Sequence, residues 1–422
     1  MGPVIAPTLA LLLGLGPALG GPRSAVSASA RTELRVREGE GAQSGPGDTS
    51  GWDFDNLATA GVAFDWRRTR LTLVYAPRLV FTDFTQSDAS SDLMHGADLA
   101  LTFQGRSTTL VLSQHGEYGH RRFTALARAD VDAITGMPIT NTTPASESVL
   151  FAASVTQAAL QLSLSQRSNL GFAANYGVSG GVDDESRRIL PLVAGPHLEM
   201  TWTYGVSARD TFGLALAGTY LHAIGPRETA DQEPDIEPLV PAVDTGAIVF
   251  TQRWDHLFRR ELRGSLSVGE AVLFEEGRKA QFLPQGFATL TRSFAGGSEH
   301  GVLEASVGAG TAIDTDRVTG RARPTVRATA QVAWTAYPFR TYVLGGALKT
   351  IGAATGNEAA TVFNAEIGAS YHLLHPLALE LGARMTDQDI EAPETASAAA
   401  APTGFAAAAF IALSWRPEPW PL

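Results

Sequence analysis

Hydrophobic and polar residues alternate with a period of two along most of this chain. The alternation is clearest at residues 70–83, where one face carries Leu71, Leu73, Tyr75, Pro77, Leu79 and Phe81. The opposite face carries Arg70, Thr72, Val74, Ala76, Arg78 and Thr82. Successive side chains of a β-strand point to opposite faces, so this pattern predicts a strand with one apolar face.

The stretch Gly404–Trp415 (GFAAAAFIALSW) carries no charge on either face. A strand of this kind does not suit the wet edge of a soluble sheet. It is typical of a strand that faces hydrocarbon on one side and ends on an interfacial tryptophan. Because a lone strand would leave its N–H and C=O groups unpaired in lipid, the sheet must close.

The same unit recurs from residue 31 onward: a strand, a tight turn that often carries arginine, a second strand, and then a longer connector. Eight such hairpins and one strand at each end give 18 strands. We therefore predict an all-β fold, a transmembrane antiparallel up-and-down β-barrel of about 18 strands. Sixteen strands are the alternative, because residues 31–38 form the weakest strand. A soluble sandwich or propeller would have shorter strands and solvent faces richer in Lys and Glu.

Composition narrows the class of protein. The 422 residues are 44% hydrophobic and 18% charged, and no interior run reaches the ~18 apolar residues that a spanning helix needs. The net charge of −11 argues against a nucleic-acid partner. The absence of cysteine excludes disulfides and cysteine-ligated metals.

Both termini differ from the repeating unit. Residues 4–19 are apolar but short and broken by glycine and proline, which is typical of the core of a signal peptide. We predict a signal peptide over residues 1–30, cleaved after Gly20 or Ala30, although no Lys or Arg precedes the apolar core. The barrel would then span residues 31–415, and residues 416–422 would form a short extension.

These features together resemble Gram-negative outer-membrane β-barrel proteins, porin-like or export barrels, over residues 31–415. The resemblance implies an outer-membrane location, contact with lipid and lipopolysaccharide, and insertion by the barrel-assembly machinery. Such barrels usually end at a terminal aromatic residue, whereas here Arg416–Leu422 follow Trp415. No local motif identifies a subfamily, and the oligomeric state is not predicted.

Charged residues in mid-strand are costly on the lipid side and tolerated in a wet lumen. If the large apolar residues face lipid, the predicted lumen-lining residues are Arg78, Asp98, Glu199, Arg253, Arg263, Glu304, Arg323, Arg327, Glu366, Glu380 and Arg384. Both signs occur, so strong ion selectivity is not indicated. We favour charges that pair across the wall over a ligand site.

No chemistry of a metal site or an enzyme stands out. The nine histidines lack metal-ligand spacing, and we predict no metal and no cofactor. The acidic clusters at 183–185, 231–237 and 387–394 could bind divalent cations near lipopolysaccharide, but such clusters are more often solvated loops. Ser113 and His115 share a face without a third member of a triad, so we predict that the chain is not an enzyme.

Two functions fit the predicted barrel. The first is a channel with a polar lumen for diffusion or export of hydrophilic solutes, including polysaccharide, because barrels of similar size accompany polysaccharide export in some Gram-negative bacteria. The second is a structural or adhesive surface barrel with a closed lumen and partner-binding loops. Conductance in planar bilayers separates the two.

Overall fold

The structure, a computed structural model, describes residues 23–39, 51–82, 90–123, 139–140, 145–225, 244–295, 301–316, 322–351, 359–391 and 404–421. Eighteen long strands and one short helix make up nearly all of the described chain. In chain order they are β1 (Arg23–Gly39), β2 (Gly51–Asp65), β3 (Thr69–Thr82), β4 (Ser90–Gln104), β5 (Thr108–Phe123), β6 (Ala145–Ser163), β7 (Ser168–Gly181), α1 (Asp184–Ile189), β8 (Leu192–Gly205), β9 (Asp210–Ile224), β10 (Thr245–Arg259), β11 (Leu262–Glu275), β12 (Gln281–Ala295), β13 (Val302–Asp316), β14 (Ala322–Ala336), β15 (Phe339–Thr350), β16 (Ala359–Leu374), β17 (Leu377–Glu391) and β18 (Gly404–Trp415). Two-residue strands also occur at Ile139–Thr140 and Trp420–Pro421.

The sheet closes on itself. Each long strand pairs antiparallel with the next, and β1 pairs with both β2 and β18. The closing register runs from Ala30 opposite Trp415 to Gly39 opposite Ala406. The prediction of a closed, antiparallel barrel of 18 strands is confirmed, and the alternative of 16 strands is wrong. No helix among the described residues is long and apolar enough to cross a membrane.

The first strand is longer than predicted. It begins at Arg23, which pairs with Asp65, and not at Arg31. Residues 24–30 consist of alanine, serine and one valine. They therefore lack the large apolar side chains that would mark one face of a strand. Cleavage after Ala30 would remove eight residues of β1, from 23 to 30, whereas cleavage after Gly20 would leave β1 whole. Residues 1–22 lie outside the described residues, so the signal peptide itself stays a prediction.

The C-terminal extension pairs with the first strand. Trp420 and Pro421 pair with Val26 and Ala25 of β1, just beyond the point where Trp415 ends its pairing. The rings of Trp415 and Trp420 lie 6.3 Å apart between centroids. The extension therefore adds a second aromatic residue to the end of β18.

The outer face carries the large apolar side chains. Ile367, Leu381 and Leu198 are 57%, 50% and 59% exposed, as expected of side chains that contact lipid. On β16, the segment from Phe363 to Tyr371 is nine residues long. This matches the ~9–11 residues that a tilted strand needs to cross hydrocarbon. Aromatic residues also gather at the strand ends, as in the stacked pairs Phe64–Trp66 and Trp202–Tyr204. This distribution is typical of a transmembrane barrel.

The two ends of the barrel have connectors of different length. Connectors of two to six residues join the strands at one end, and connectors of five to 21 residues join them at the other. Both described chain ends lie at the short-turn end, because the strand number is even. Short turns face the periplasm in bacterial barrels.

This asymmetry gives a prediction of orientation. An epitope tag inserted at residues 228–237, in the 20-residue connector between β9 and β10, should be labelled on intact cells. A tag in the two-residue connector between β16 and β17 (residues 375–376) should be labelled only after lysis. The reverse labelling pattern would contradict this orientation.

The acidic cluster at 183–185 forms the start of the helix α1. Asp183, predicted to belong to a solvated loop, caps α1 by accepting a hydrogen bond from the Ser186 N–H at 2.7 Å. Hydrogen bonds from Ser186 hold the pKa of the Asp183 carboxyl below its ordinary value. Asp184 and Glu185 follow in the first turn, where negative charge stabilises a helix. Of the other two clusters, 231–237 lies outside the described residues and 387–394 lies partly outside them.

Candidate functional site on the inner face

The strand registers place all eleven predicted lumen-lining residues on the face opposite the large exposed hydrophobic residues. By strand they are Arg78 on β3, Asp98 on β4, Glu199 on β8, Arg253 on β10, Arg263 on β11, Glu304 on β13, Arg323 and Arg327 on β14, Glu366 on β16, and Glu380 and Arg384 on β17. For Arg323 only the backbone register, opposite Asp314, is described. That this face lines an open conduit is a proposal, taken up below.

Three of these residues meet at the closure of the barrel, in a cluster that we call the seam network. Its members are Arg31, Glu33, Arg35, Tyr342, Glu366, Glu380, Arg384 and Phe410. Arg384 donates to Glu33 at 3.1 Å and to Glu366 at 3.0 Å. Arg31 donates to Glu380 at 2.6 Å and to Glu33 at 2.9 Å. The Arg384–Glu33 and Arg31–Glu380 pairs join β17 to β1 across the intervening strand β18.

Small residues on β18 make this crossing possible. Ala408 and Ala412 face inward and are 4% and 1% exposed, so the longer side chains of the neighbouring strands cover them. Between them, the Phe410 ring lies 4.2 Å from the Arg384 guanidinium, which adds a cation–π contact. The alanines of the uncharged stretch Gly404–Trp415 therefore leave room for charges supplied by β1 and β17.

Sequence reasoning missed the contribution of β1. Arg31, Glu33, Arg35 and Arg37 alternate along one face of β1, and that alternation was the signal that could have placed them with the other charges. The pairing continues away from the seam, where Arg78 lies 2.5 Å from Asp55 and Arg37 lies 2.9 Å from Asp53. In this region the predicted Arg78 and the charges that sequence reasoning missed form ion pairs along the wall.

The remaining predicted residues lie apart from the seam network. Arg253 and Arg263 share Asp255, at 2.8 and 3.6 Å. Asp98 binds His115, whose two ring nitrogens lie 2.6 Å from Asp98 and 3.4 Å from Glu117. The Arg327 guanidinium lies 5.2 Å from the Phe287 ring, and Ser293 lies 3.5 Å from Glu304. Glu199 stands on a wall, β6–β9, whose other inward residues between the strand ends are uncharged.

No metal site emerges from this arrangement. In the parts of the chain that the structure describes, no group of three or more His, Asp or Glu side chains is placed to hold a metal ion.

The β13–β14 hairpin leaves the neighbouring strand β12 near the end of the barrel with the long connectors. Pairing between β12 and β13 stops at Thr311, whereas β13 and β14 stay paired to Thr315 and Ala322. We call residues 312–316 and 322–325 the flap. Within it, Ile313 is 1% exposed and packs with Ala247, Ala271 and Leu273 on the inner face of β10 and β11.

Two further contacts hold the flap inside the barrel outline. Strands β10 and β14 come into direct contact, although three strands separate them in the sheet. Ile139–Thr140, from the connector between β5 and β6, pairs in parallel with Thr315–Asp316. The flap therefore covers part of the lumen at this end.

Replacing Ile313 by Asp should open the flap. A carboxylate at this buried position would lose the apolar packing and require hydration, so the flap would leave the inner wall. We expect a larger single-channel conductance in planar bilayers, with the barrel still folded by heat-modifiable gel migration. Ile313→Val, which keeps the apolar contact, should leave the conductance unchanged. A folded Ile313→Asp barrel with the conductance of the original protein would contradict this role of the flap.

One protein-family model matches the first part of the chain. Residues 22–231, which include β1–β9 and amount to 210 of the 422 residues, match the model of the EpsX exopolysaccharide export family. No curated protein sequence matches the chain. The chain is a Gram-negative outer-membrane β-barrel protein. The family match and the closed barrel support an outer-membrane channel for passage of a solute or a polysaccharide.

Solved structures of similar shape come from two bacteria. The FrpB iron transporter from Neisseria meningitidis has a TM-score of 0.50 at 9% identity, covering 86% of this chain and 62% of that one. OpdQ and OpdL from Pseudomonas aeruginosa both have a TM-score of 0.47, at 9% and 11% identity, covering 94% of this chain and 98% and 99% of theirs. The similarity to FrpB concerns the fold alone.

Proposed function

We propose that this barrel is the outer-membrane conduit through which a secreted polysaccharide leaves the cell. The observation that carries the proposal is the match of residues 22–231, the strands β1–β9 of a closed 18-strand barrel, to an exopolysaccharide export family. Barrels of 16–18 strands are wide enough to leave an aqueous channel. A polar inner face suits a hydrophilic polymer.

The electrostatics of the inner face fit a conduit of low ion selectivity. In the seam network and among the described side chains of β1–β3, each guanidinium lies beside at least one carboxylate, as in Arg384–Glu366 and Arg37–Asp53. Glu33 and Glu366 are only 5% and 6% exposed, so their charges are compensated within the wall. Such a wall presents hydrogen-bonding groups to a polymer without a strong net field that would hold an ion.

We further infer that the chain is not an enzyme and that its partners are the lipopolysaccharide and the barrel-assembly machinery of the outer membrane. His115 could serve Ser113 as a base only with a free ring nitrogen, and both nitrogens lie close to carboxylates of Asp98 and Glu117. The apolar outer face supplies the contact with lipid.

Planar bilayer recordings test the proposal. The purified barrel should form discrete ion channels with a cation-to-anion permeability ratio near one, and liposomes carrying it should release trapped neutral oligosaccharides. A barrel that is folded by gel migration but never conducts, even with Ile313→Asp, would contradict the conduit. That result would favour a structural or adhesive barrel with a closed lumen.

A further inference from the structure

The inner wall of β5–β9 carries a row of hydrogen-bonding side chains, without a carboxylate or a guanidinium, at one level. Cross-strand pairing sets Ser113 beside Gln157, Gln157 beside Asn175, Asn175 beside His197, and His197 beside Thr219. His197 Nδ1 lies 2.7 Å from Thr219 Oγ1. Five neighbouring strands therefore present amide, imidazole and hydroxyl groups along one line.

The next row toward the short-turn end consists of alanines around one carboxylate. Ala159 pairs with Ala173, Ala173 with Glu199, and Glu199 with Ala217. The following row is polar again, with Gln161 and Thr201 on either side of Gly171. Glu199 therefore stands between two hydrogen-bonding rows, with only alanine beside it on the neighbouring strands.

Two groups in these rows have bonding capacity that the wall does not use. No described basic residue forms an ion pair with Glu199, in contrast to the compensated carboxylates Glu33 and Glu366 of the seam network. Asn175 Oδ1 is buried and has no hydrogen-bond partner among the described residues. Buried polar atoms normally have a partner, so both groups are acceptors to which a ligand could donate.

We propose that Glu199, Asn175 and the polar rows beside them form a binding station for a neutral saccharide segment in transit. The inference rests on the proposed function. Sugar hydroxyls would donate to the Glu199 carboxylate and the Asn175 amide oxygen, and the alanine row would give the ring room to lie flat. A polyanionic glycan is disfavoured, because the one described carboxylate or guanidinium on the inner face between the ends of β6–β9 is the negative Glu199.

Blockade of the ion current by oligosaccharides tests the station. A panel of α- and β-linked neutral hexasaccharides (gluco-, manno- and galacto-configured) and hexagalacturonate as the anionic probe are titrated onto the full-length protein in planar bilayers. At least one neutral hexasaccharide should interrupt the current at lower concentration than hexagalacturonate. Glu199→Gln should raise its half-blocking concentration about tenfold, as loss of a hydrogen bond to a charged group predicts, and should narrow the difference between neutral and anionic probes.

Two controls separate this inference from the proposed function. Glu304→Gln removes an inward carboxylate from β13 outside the station and should leave blockade unchanged. Asn175→Ala should weaken blockade without changing ion selectivity. Failure of both the original protein and Ile313→Asp to conduct would overturn the proposed function. A conducting channel that no neutral hexasaccharide blocks, or whose blockade Glu199→Gln does not change, would overturn the station and leave the channel standing.

Discussion

Replacing Ile367 by Arg should severely impair folding of the barrel. Ile367 lies on the outer face of β16, midway between the aromatic residues Phe363 and Tyr371, and is 57% exposed on that face. This position corresponds to the middle of the hydrocarbon, where an arginine costs roughly 2–4 kcal/mol. The expected result is loss of most of the heat-modifiable, folded species on a gel after refolding into lipid vesicles.

The control for this substitution puts the same charge on the other face. Thr329 lies on the inner face of β14, where it pairs with Gly308 and Gly346, and its side chain is exposed. Thr329→Arg should therefore refold almost as well as the original protein. Equal loss of folding in both variants would mean that the alternation does not separate lipid from water, and the membrane assignment would be wrong.

The alternation predicted the barrel because the bilayer imposes it on the middle of each strand. Phe212, Leu214 and Leu216 on β9 and Leu377, Leu379 and Leu381 on β17 each mark one face with large side chains. Closure followed from the physical chemistry of unpaired backbone groups in lipid. The closed barrel and its strand number could thus be derived from the sequence.

The strand ends could not be predicted in the same way. A strand of 15–19 residues is longer than the ~9–11 residues that cross hydrocarbon. Beyond the membrane the outward residues become polar, as His120 is on β5, so the alternation fades and the segment from residue 118 to 147 is predicted as a loop. In the structure β5 continues to Phe123, which pairs with Ala145.

The ion-pair partners of the charges on the inner face could not be predicted from the sequence either. Glu33 and Arg384 are 351 positions apart and meet only because the barrel closes between β1 and β18. The contact of the flap with the inner wall is still harder to predict from the sequence. Ile313 has the parity of an outer-face residue, and it reaches the inner wall only where β13 leaves β12. Contacts of this kind depend on the curvature of the sheet, which the period-two pattern does not encode.

Replacing Arg384 by Met should destabilise the barrel more than any other change to the inner face described above. The Arg384 side chain is 9% exposed and holds Glu33 and Glu366 together. Removing one partner of a buried ion pair costs about 3–5 kcal/mol, because the remaining charge is left without compensation. Glu33 keeps Arg31 and Arg35, so the greater part of the cost should come from Glu366. The midpoint of urea unfolding in lipid vesicles, followed by tryptophan fluorescence, measures the effect.

Two further variants make that result specific. Arg263→Met removes an arginine whose side chain is 62% exposed and lies 3.6 Å from Asp255, so it should shift the unfolding midpoint little. Adding Glu366→Gln to Arg384→Met should recover part of the lost stability, because the buried side chain that loses the arginine is then neutral. If Arg384→Met and Arg263→Met shift the unfolding midpoint equally, the ion pairs of Arg384 stabilise the barrel no more than an exposed ion pair does. If the double variant is less stable than Arg384→Met, the cost does not come from the loss of the arginine beside the Glu366 carboxylate.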